Sequence, residues 1–192
     1  MAKNHVSLDW VISKKNVSKL GLIESSRILD IGCKAGKKAH YLIDVGQLVL
    51  TDINKRKQTS PFVVSDATHL PFSDNIFDLV TMLHVMEHVK DDKMALQEIY
   101  RVLKPNGSAI IVTPNSKRLT KIYSIIMKVV TKSPYKYPLN PDHVFEYSDF
   151  DIKRFMTDSR FENYNIEPIF MRTSRVIRIR KYCDQWIVTA KK

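Results

Sequence analysis

Several things are missing from this sequence, and each absence narrows what it can be. No apolar run approaches the roughly 20 residues that a membrane-spanning helix needs, which argues against a spanning protein. The opening MAKNHVSLDW has no apolar stretch of the secretory kind, so a cytoplasmic location is expected. Cysteine occurs twice, at Cys33 and Cys183, far apart and without metal-type spacing. Reduced thiols are therefore expected rather than a disulfide framework. No internal repeat or low-complexity tract is present. Acidic residues are missing from two stretches, Asn115 to Pro141 and Arg172 to Lys181, within a chain of formal net charge +11. Such basic stretches favour anionic partners: nucleic acid, lipid head groups or acidic substrates.

What remains is an ordinary globular composition, 44% hydrophobic and 27% charged over 192 residues. That is enough for one sizeable core and too little for two ordinary domains, so residues 1–192 are read as one domain. Short apolar runs alternate with helix-period stretches. Strands are expected at Arg27 to Ile31, Leu48 to Asp52, Phe62 to Ser65, Phe77 to Leu83 and Ser108 to Thr113, with two more near Asn165 to Phe170 and Gln185 to Ala190. Helices are expected at about Lys37 to Asp44, Asp91 to Leu103 and Ser148 to Asp158, with a weak or absent one at Asn54 to Ser60. An amphipathic helix is expected near Leu8 to Leu20. Strands rich in Ile, Val and Leu with little alternation need cover on both faces. The pattern predicts an α/β fold: a Rossmann-like three-layer α/β/α sandwich around a mostly parallel, seven-stranded sheet.

LDIGCKAGKKAH, Leu29 to His40, has the form of a strand, a glycine turn and a helix. In such a sheet the turn after the first strand must let backbone approach a ligand, and Gly32 and Gly36 supply that freedom. Asp52 ends the second strand, where a carboxylate can accept hydrogen bonds from both hydroxyls of a ribose. The dinucleotide pattern G-x-G-x-x-G fails at Lys34 and Lys37. The pattern acid-x-G-x-G-x-G is met by Asp30, Gly32 and Gly36 and departs only at Lys34.

From Arg27 to Asn115 the chain resembles the class I S-adenosylmethionine-dependent methyltransferases. ILDIGCKAG matches the family's first motif, Asp52 its ribose-binding acid and VVSDATHLPF its third-strand end. FDLVTMLHVMEHV and EIYRVLKPNGSAIIVTPN match the fourth- and fifth-strand segments. The resemblance implies S-adenosylmethionine as cofactor. Asp30, Gly32, Cys33, Lys34 and Gly36 would surround its methionine end, and Asp52 would hold the ribose. Ile53 would pack on the adenine, Asp66 and Ala67 would meet the adenine's polar edge, and Leu83 would offer backbone to the amino acid moiety. Lys34 is the clearest departure. Its ammonium either points into solvent or approaches the cofactor carboxylate.

Methyl transfer from a sulfonium is a direct displacement that needs alignment, and a base when the acceptor is a hydroxyl. His84, just past the fourth strand, is the first candidate for base or acceptor-positioning residue, and His143 in DHVFEYS is the second. HVMEH also spells H-x-x-E-H, but zinc peptidases need those residues on one helix face, whereas here they directly follow a strand. A magnesium site in the same segment is disfavoured by an imidazole at His84, so no metal is expected. The expected activity is methyl transfer to a small, lipophilic, hydroxyl-bearing molecule. The alternatives are an RNA-directed methyltransferase, on charge alone, or a non-catalytic binding module with a degenerate glycine loop.

A basic amphipathic insertion is expected at about 116–141. Lys117, Lys121, Lys128 and Lys132 fall on one helical stripe, and Leu119, Ile122, Ile126 and Val130 fall on the other. Three readings fit: a lid over the acceptor end, an anionic membrane-surface helix at 116–133, or an RNA-binding face. Aromatic side chains are not interleaved with the basic ones, which weighs against single-stranded RNA.

Overall fold

Branched apolar residues favour extended backbone, and when they point to both sides of a strand both sides must be shielded from water. The computed structural model of the chain, which describes residues 17, 19–34, 40–55, 60–117, 145–169, 183 and 185–192, follows that logic. Its strands are β1 (Arg27–Ile31), β2 (Gln47–Asp52), β3 (Phe62–Val64), β4 (Phe77–Leu83), β5 (Leu103–Pro114), β6 (Asn163–Ile169) and β7 (Gln185–Lys191). They form one seven-stranded sheet in the order β3-β2-β1-β4-β5-β7-β6. Only β7 runs against the rest, pairing antiparallel with both β5 and β6. Two α-helices are described, α1 (Asp92–Val102) and α2 (Asp149–Asp158), with 3-10 helices at His40–Asp44 and Met86–His88.

Successive residues of β1 feed opposite layers. Leu29 and Ile31 join a cluster with Val80, Met82, Leu96, Ile99, Ile152 and Met156, which brings in α1 and α2. Ile28 joins a second cluster with Leu48, Leu50, Leu79, Leu42 and Val17 on the other face. Both Ile28 and Leu29 are fully buried. Truncating a side chain such as Leu96 or Ile28 to alanine costs about 2–5 kcal/mol in a core of this kind.

Local chemistry sets the helix ends. The Asp91 carboxylate accepts the Met94 N–H at 2.9 Å and opens α1. Ser148 and Asp151 form a reciprocal capping box at α2: the Asp151 N–H reaches Ser148 Oγ and the Ser148 N–H reaches Asp151 Oδ2 at 2.9 Å.

One described boundary differs from expectation by more than two residues. β5 begins at Leu103 rather than Ser108, because the pairing with β4 jumps from Phe77–Leu103 to Leu79–Ser108. KPNG bulges out between these pairs. Pro105 has no N–H to give a ladder, and Asn106 takes a left-handed φ of 66°, which asparagine tolerates better than most residues. Of the expected helix at Lys37 to Asp44, the described part is the 3-10 helix at His40–Asp44; residues 35–39 lie outside the described residues. So do residues 56–59 of the second crossover and most of the Leu8 to Leu20 segment, of which Val17 is helical and buried. Among the described residues no helix is long and apolar enough to cross a membrane.

The chain winds from β1 outward to β2 and β3, then returns to β4 on the other side of β1. The carboxyl ends of β1 and β4 therefore flank a topological switch point, where open α/β sheets bind ligands.

Candidate functional site

Immediately after β1 the backbone turns at Gly32, whose φ is +70°. A Cβ there would stand 2.2 Å from Val85 Cγ2. The need for glycine at this point thus has two sources, the left-handed backbone and the valine packed over it from the end of β4. The sequence asks for glycine here so that backbone can approach a ligand; the structure adds the neighbouring valine side chain. The N–H groups of Gly32 and Cys33 both donate to the Thr51 carbonyl, at 2.8 and 3.1 Å, which pins the turn to the last residues of β2.

Lys34 is also left-handed, with φ 50°. For a residue with a Cβ this costs about 1–2 kcal/mol. Its N–H donates to Asp52 Oδ2 at 2.9 Å, a charge-assisted bond that offsets part of that cost. The Asn54 N–H donates to Asp52 Oδ1 at 3.0 Å. Among the described residues each carboxylate oxygen of the buried Asp52 thus accepts one backbone hydrogen and retains a second lone pair, the number needed for a ribose diol. Beside it, Ile53 is 65% exposed, an apolar side chain presented at the carboxyl edge of the sheet.

Asp30 is placed differently from the turn residues. Its carboxylate accepts the Thr81 hydroxyl at 2.7 Å across the β1–β4 pair and braces those strands beneath the bend. The Cys33 side chain is buried in the second apolar cluster. Gly36 lies outside the described residues.

The third-strand end is built by polar turns. Asp66 Oδ1 accepts both the Thr68 N–H and the Thr68 hydroxyl at 2.9 Å, and Ala67 is buried. The Ser65 N–H donates to the Asp52 carbonyl, and the Thr51 and Ser65 hydroxyls are hydrogen-bonded to each other. The loop that follows is clamped by two residues of α1 that the sequence reading did not single out. Arg101 donates to the carbonyls of Leu70 and Phe72 at 2.9 and 2.7 Å and to Asp74 at 2.7 Å. Glu98 pairs with Arg101 at 2.7 Å and accepts the Leu70 N–H at 2.7 Å. The Arg101 hydrogen bond, working against burial, lowers the pKa of Glu98. Their i,i+3 spacing on a helix was the available signal.

At the end of β4 the ladder with β1 stops at Ile31–Met82, whereas that with β5 continues to Leu83–Val112. Leu83 therefore has a sheet partner on one side and faces the switch point on the other. His84 follows in a left-handed conformation, φ 57°. Its Nδ1 lies 3.2 Å from Glu87 Oε1, with side-chain exposures of 18% for His84 and 1% for Glu87. Among the described residues the buried Glu87 Oε2 has no hydrogen-bond partner. Burial opposes ionisation of Glu87, but the hydrogen bond and charge of His84, with a backbone hydrogen bond and His88, outweigh it and hold the pKa below the usual carboxylate value. Among the described residues no three His, Cys, Asp or Glu side chains gather as a metal would require.

His143 lies outside the described residues, as does most of the basic insertion; Ser116 and Lys117 are described. The chain on either side of 118–144 is firmly placed. Asn115 bridges to Tyr147, and the Ser116 N–H donates to the Tyr147 carbonyl at 3.1 Å. The Phe145 N–H donates to the Glu87 carbonyl at 3.2 Å. The Tyr147 hydroxyl reaches Asp92 Oδ2 at 3.0 Å and Met86 O at 3.2 Å. Burial first, then Asp92, Glu87 and Asp151, keep this phenol protonated far above its usual range. Residues 145–147 thus lie against Met86 and Glu87, and Asn115 and Ser116 lie against Tyr147.

Comparison with known proteins agrees with this arrangement. The methyltransferase domain family matches residues 29–111. The ubiquinone/menaquinone biosynthesis C-methyltransferase of Francisella philomiragia is 27% identical over 180 residues, covering 78% of this chain and 72% of its own. The demethylmenaquinone methyltransferase of Thermotoga maritima is 29% identical over 189 residues, covering 85% and 82%. A SAM-dependent methyltransferase from Archaeoglobus fulgidus has the same fold, with a TM-score of 0.69 at 21% identity over 97% of this chain and 95% of that one. One from Methanosarcina mazei gives 0.64 at 21% identity over 92% and 96%. The chain therefore carries a methyltransferase domain over residues 29–111, and with the turn at Gly32, the acid at Asp52 and the strand order of the sheet it is similar to the class I S-adenosylmethionine-dependent methyltransferases.

Proposed function

We propose that this methyltransferase acts on a small, lipophilic acceptor carrying a hydroxyl on an aromatic ring, of the quinol type. The observation that carries this reading is the imidazole of His84 at the open end of β4, paired with a buried carboxylate at 3.2 Å. A base at that place suits an acceptor that must lose a proton. The relatives named for ubiquinone, menaquinone and demethylmenaquinone support the acceptor class. Loss of a phenolic proton serves methylation at oxygen and at a ring carbon alike, because the charge spreads onto the ring. His143 is the second candidate for this role.

The described residues fit the cofactor. Asp52 keeps the lone pairs to accept two ribose hydroxyls, and the exposed Ile53 offers an apolar face for adenine. Asp66 and Ala67 stand at the end of β3 for its polar edge, and the open side of Leu83 offers backbone to the amino acid moiety. Asp30, Gly32, Cys33 and Lys34 form or brace the turn around the methionine end, and the resemblance gives Gly36 a place beside them. The cofactor supplies an electrophilic methyl group; the protein's part is to align it and to receive the proton.

The reading extends to one domain over residues 1–192 with the basic insertion at the acceptor end. Its apolar stripe would close over a lipophilic acceptor and its lysines would lie on an anionic membrane surface. Nucleic acid is the weaker alternative, supported by charge alone. Calorimetric titration with S-adenosylmethionine, followed by assay of methyl transfer to a short-chain demethylmenaquinol, tests the function. Cofactor binding without turnover of any quinol would discard the acceptor class. Salt-sensitive sedimentation with anionic liposomes, lost on changing Lys121 and Lys128 to Glu, tests the membrane contact; RNA binding without liposome binding would replace it.

A further inference from the structure

The geometry points to Glu87 as the positioning residue that makes His84 a general base, an inference that rests on the hydroxyl-bearing acceptor proposed above. An ionised carboxylate only accepts hydrogen bonds. The contact between Glu87 Oε1 and His84 Nδ1 at 3.2 Å therefore places the imidazole hydrogen on Nδ1. In a neutral ring the lone pair is then on Nε2, the nitrogen left to take a proton from a bound hydroxyl.

Three further observations bear on the pair. His84 holds a left-handed φ of 57°, a conformation that a residue with a side chain keeps only when its surroundings enforce it, and such residues cluster at functional sites. Glu87 is fully buried, so little water screens its charge from the imidazole. The Phe145 N–H on the Glu87 carbonyl fixes its backbone. The titratable groups around the pair are His88 on the same turn, Tyr147 against it and Asp92 at the start of α1. The Tyr147 phenol stays protonated and does not compete as a base.

The step balances as follows. The acceptor O–H gives its proton to His84 Nε2, and the electron pair left behind bonds to the methyl carbon. That pair acts directly from oxygen or, relayed through an aromatic ring, from a ring carbon, which afterwards loses its own hydrogen to solvent. The carbon–sulfur bond breaks, its electrons remaining on sulfur to give S-adenosylhomocysteine. Glu87 stays ionised throughout and balances the charge of the imidazolium, which releases its proton to solvent after methylation at oxygen, or returns it to the phenolate oxygen once a methylated ring carbon has lost its hydrogen.

The test is NMR of the full chain labelled with 15N-histidine, with the His84 signals assigned by their loss in His84→Gln. The expected result is the Nδ1–H tautomer in the parent and a shift towards Nε2–H in Glu87→Gln. In the same preparations, methyl transfer to a short-chain demethylmenaquinol should fall by about 10- to 100-fold in kcat for Glu87→Gln, with the KM for S-adenosylmethionine unchanged. An Nε2–H tautomer in the parent overturns the inference by itself, whether or not the variant folds. So does a Glu87→Gln protein with unchanged tautomer and kcat. A parent that shows the Nδ1–H tautomer and binds S-adenosylmethionine but methylates no quinol overturns the acceptor proposed above, not the pairing.

Discussion

The Lys34 backbone N–H donates to Asp52 Oδ2 at 2.9 Å, so the turn after β1 and the acid that ends β2 form one hydrogen-bonded unit. Removing the acid should therefore disturb both cofactor and turn. Asp52→Ala is expected to weaken S-adenosylmethionine binding by about 10-fold or more, since two ribose hydroxyls and the backbone N–H groups of Lys34 and Asn54 lose their acceptor. Calorimetry reads this, and an unchanged affinity would remove Asp52 from the site. In Lys34→Gly the left-handed φ becomes free of strain, and stability should change by no more than about 1 kcal/mol. If the Lys34 ammonium meets the cofactor carboxylate, affinity falls in the same variant. Equal or tighter binding would leave only a solvent role for that side chain.

Gly32→Ala should destabilise the fold by about 2–4 kcal/mol, because the new methyl meets Val85 and the positive φ is strained as well. Pairing it with Val85→Ala should restore only the steric part of the loss. Urea unfolding of the three variants separates the two contributions. Full recovery in the double variant would mean that backbone strain contributes nothing.

Arg101→Met tests the clamp on residues 66–74. The network is half-exposed, so a modest loss of about 1–2 kcal/mol is expected. The sharper effect should be local: amide exchange at Thr68 and Leu70 should quicken before that of the β1 and β4 amides. Uniform acceleration across the sheet would show that the clamp supports the whole fold and not this loop.

Acid and alkali should act through different residues. Glu87, Glu98 and Asp151 all have lowered pKa values. Their contribution is present above their unfolded-state values near pH 4 and is lost as pH falls below them. Tyr147 has a raised pKa; its contribution is full below its unfolded value of about 10 and is lost as pH rises beyond that. Chemical denaturation across pH should show decline at both ends. Tyr147→Phe should flatten the alkaline limb and leave the acid limb in place, and an unaltered alkaline limb would contradict the assignment.

Much of this was readable from residue order. The apolar runs of β1 and β4 appear where expected because both faces of those strands are covered, so buried side chains must be apolar or, like Asp30 and Thr81, satisfy each other. Asp52 could be paired with the Gly32 turn because both stand at strand ends on adjacent strands. The start of β5 was not legible: Pro105 and Asn106 read as a break between helix and strand, while the structure absorbs them as a bulge. Val85 over Gly32, and His84 against Glu87, depend on the left-handed exit from β4, which no periodicity announces in a histidine. Gly36 and His143 lie outside the described residues, and their roles rest on the resemblance.

The anchoring of residues 115–117 to 145–147 has an engineering consequence. Because the bridge between Asn115 and Tyr147 joins the two flanks, residues 118–144 form an excursion whose entry and exit share one short stretch of scaffold. A cassette of different length or composition could be exchanged there without changing strand order or the register of β5 with β7. Such an exchange would test the proposed acceptor role of residues 118–144 on a scaffold whose Gly32 turn and Asp52 stay as they are.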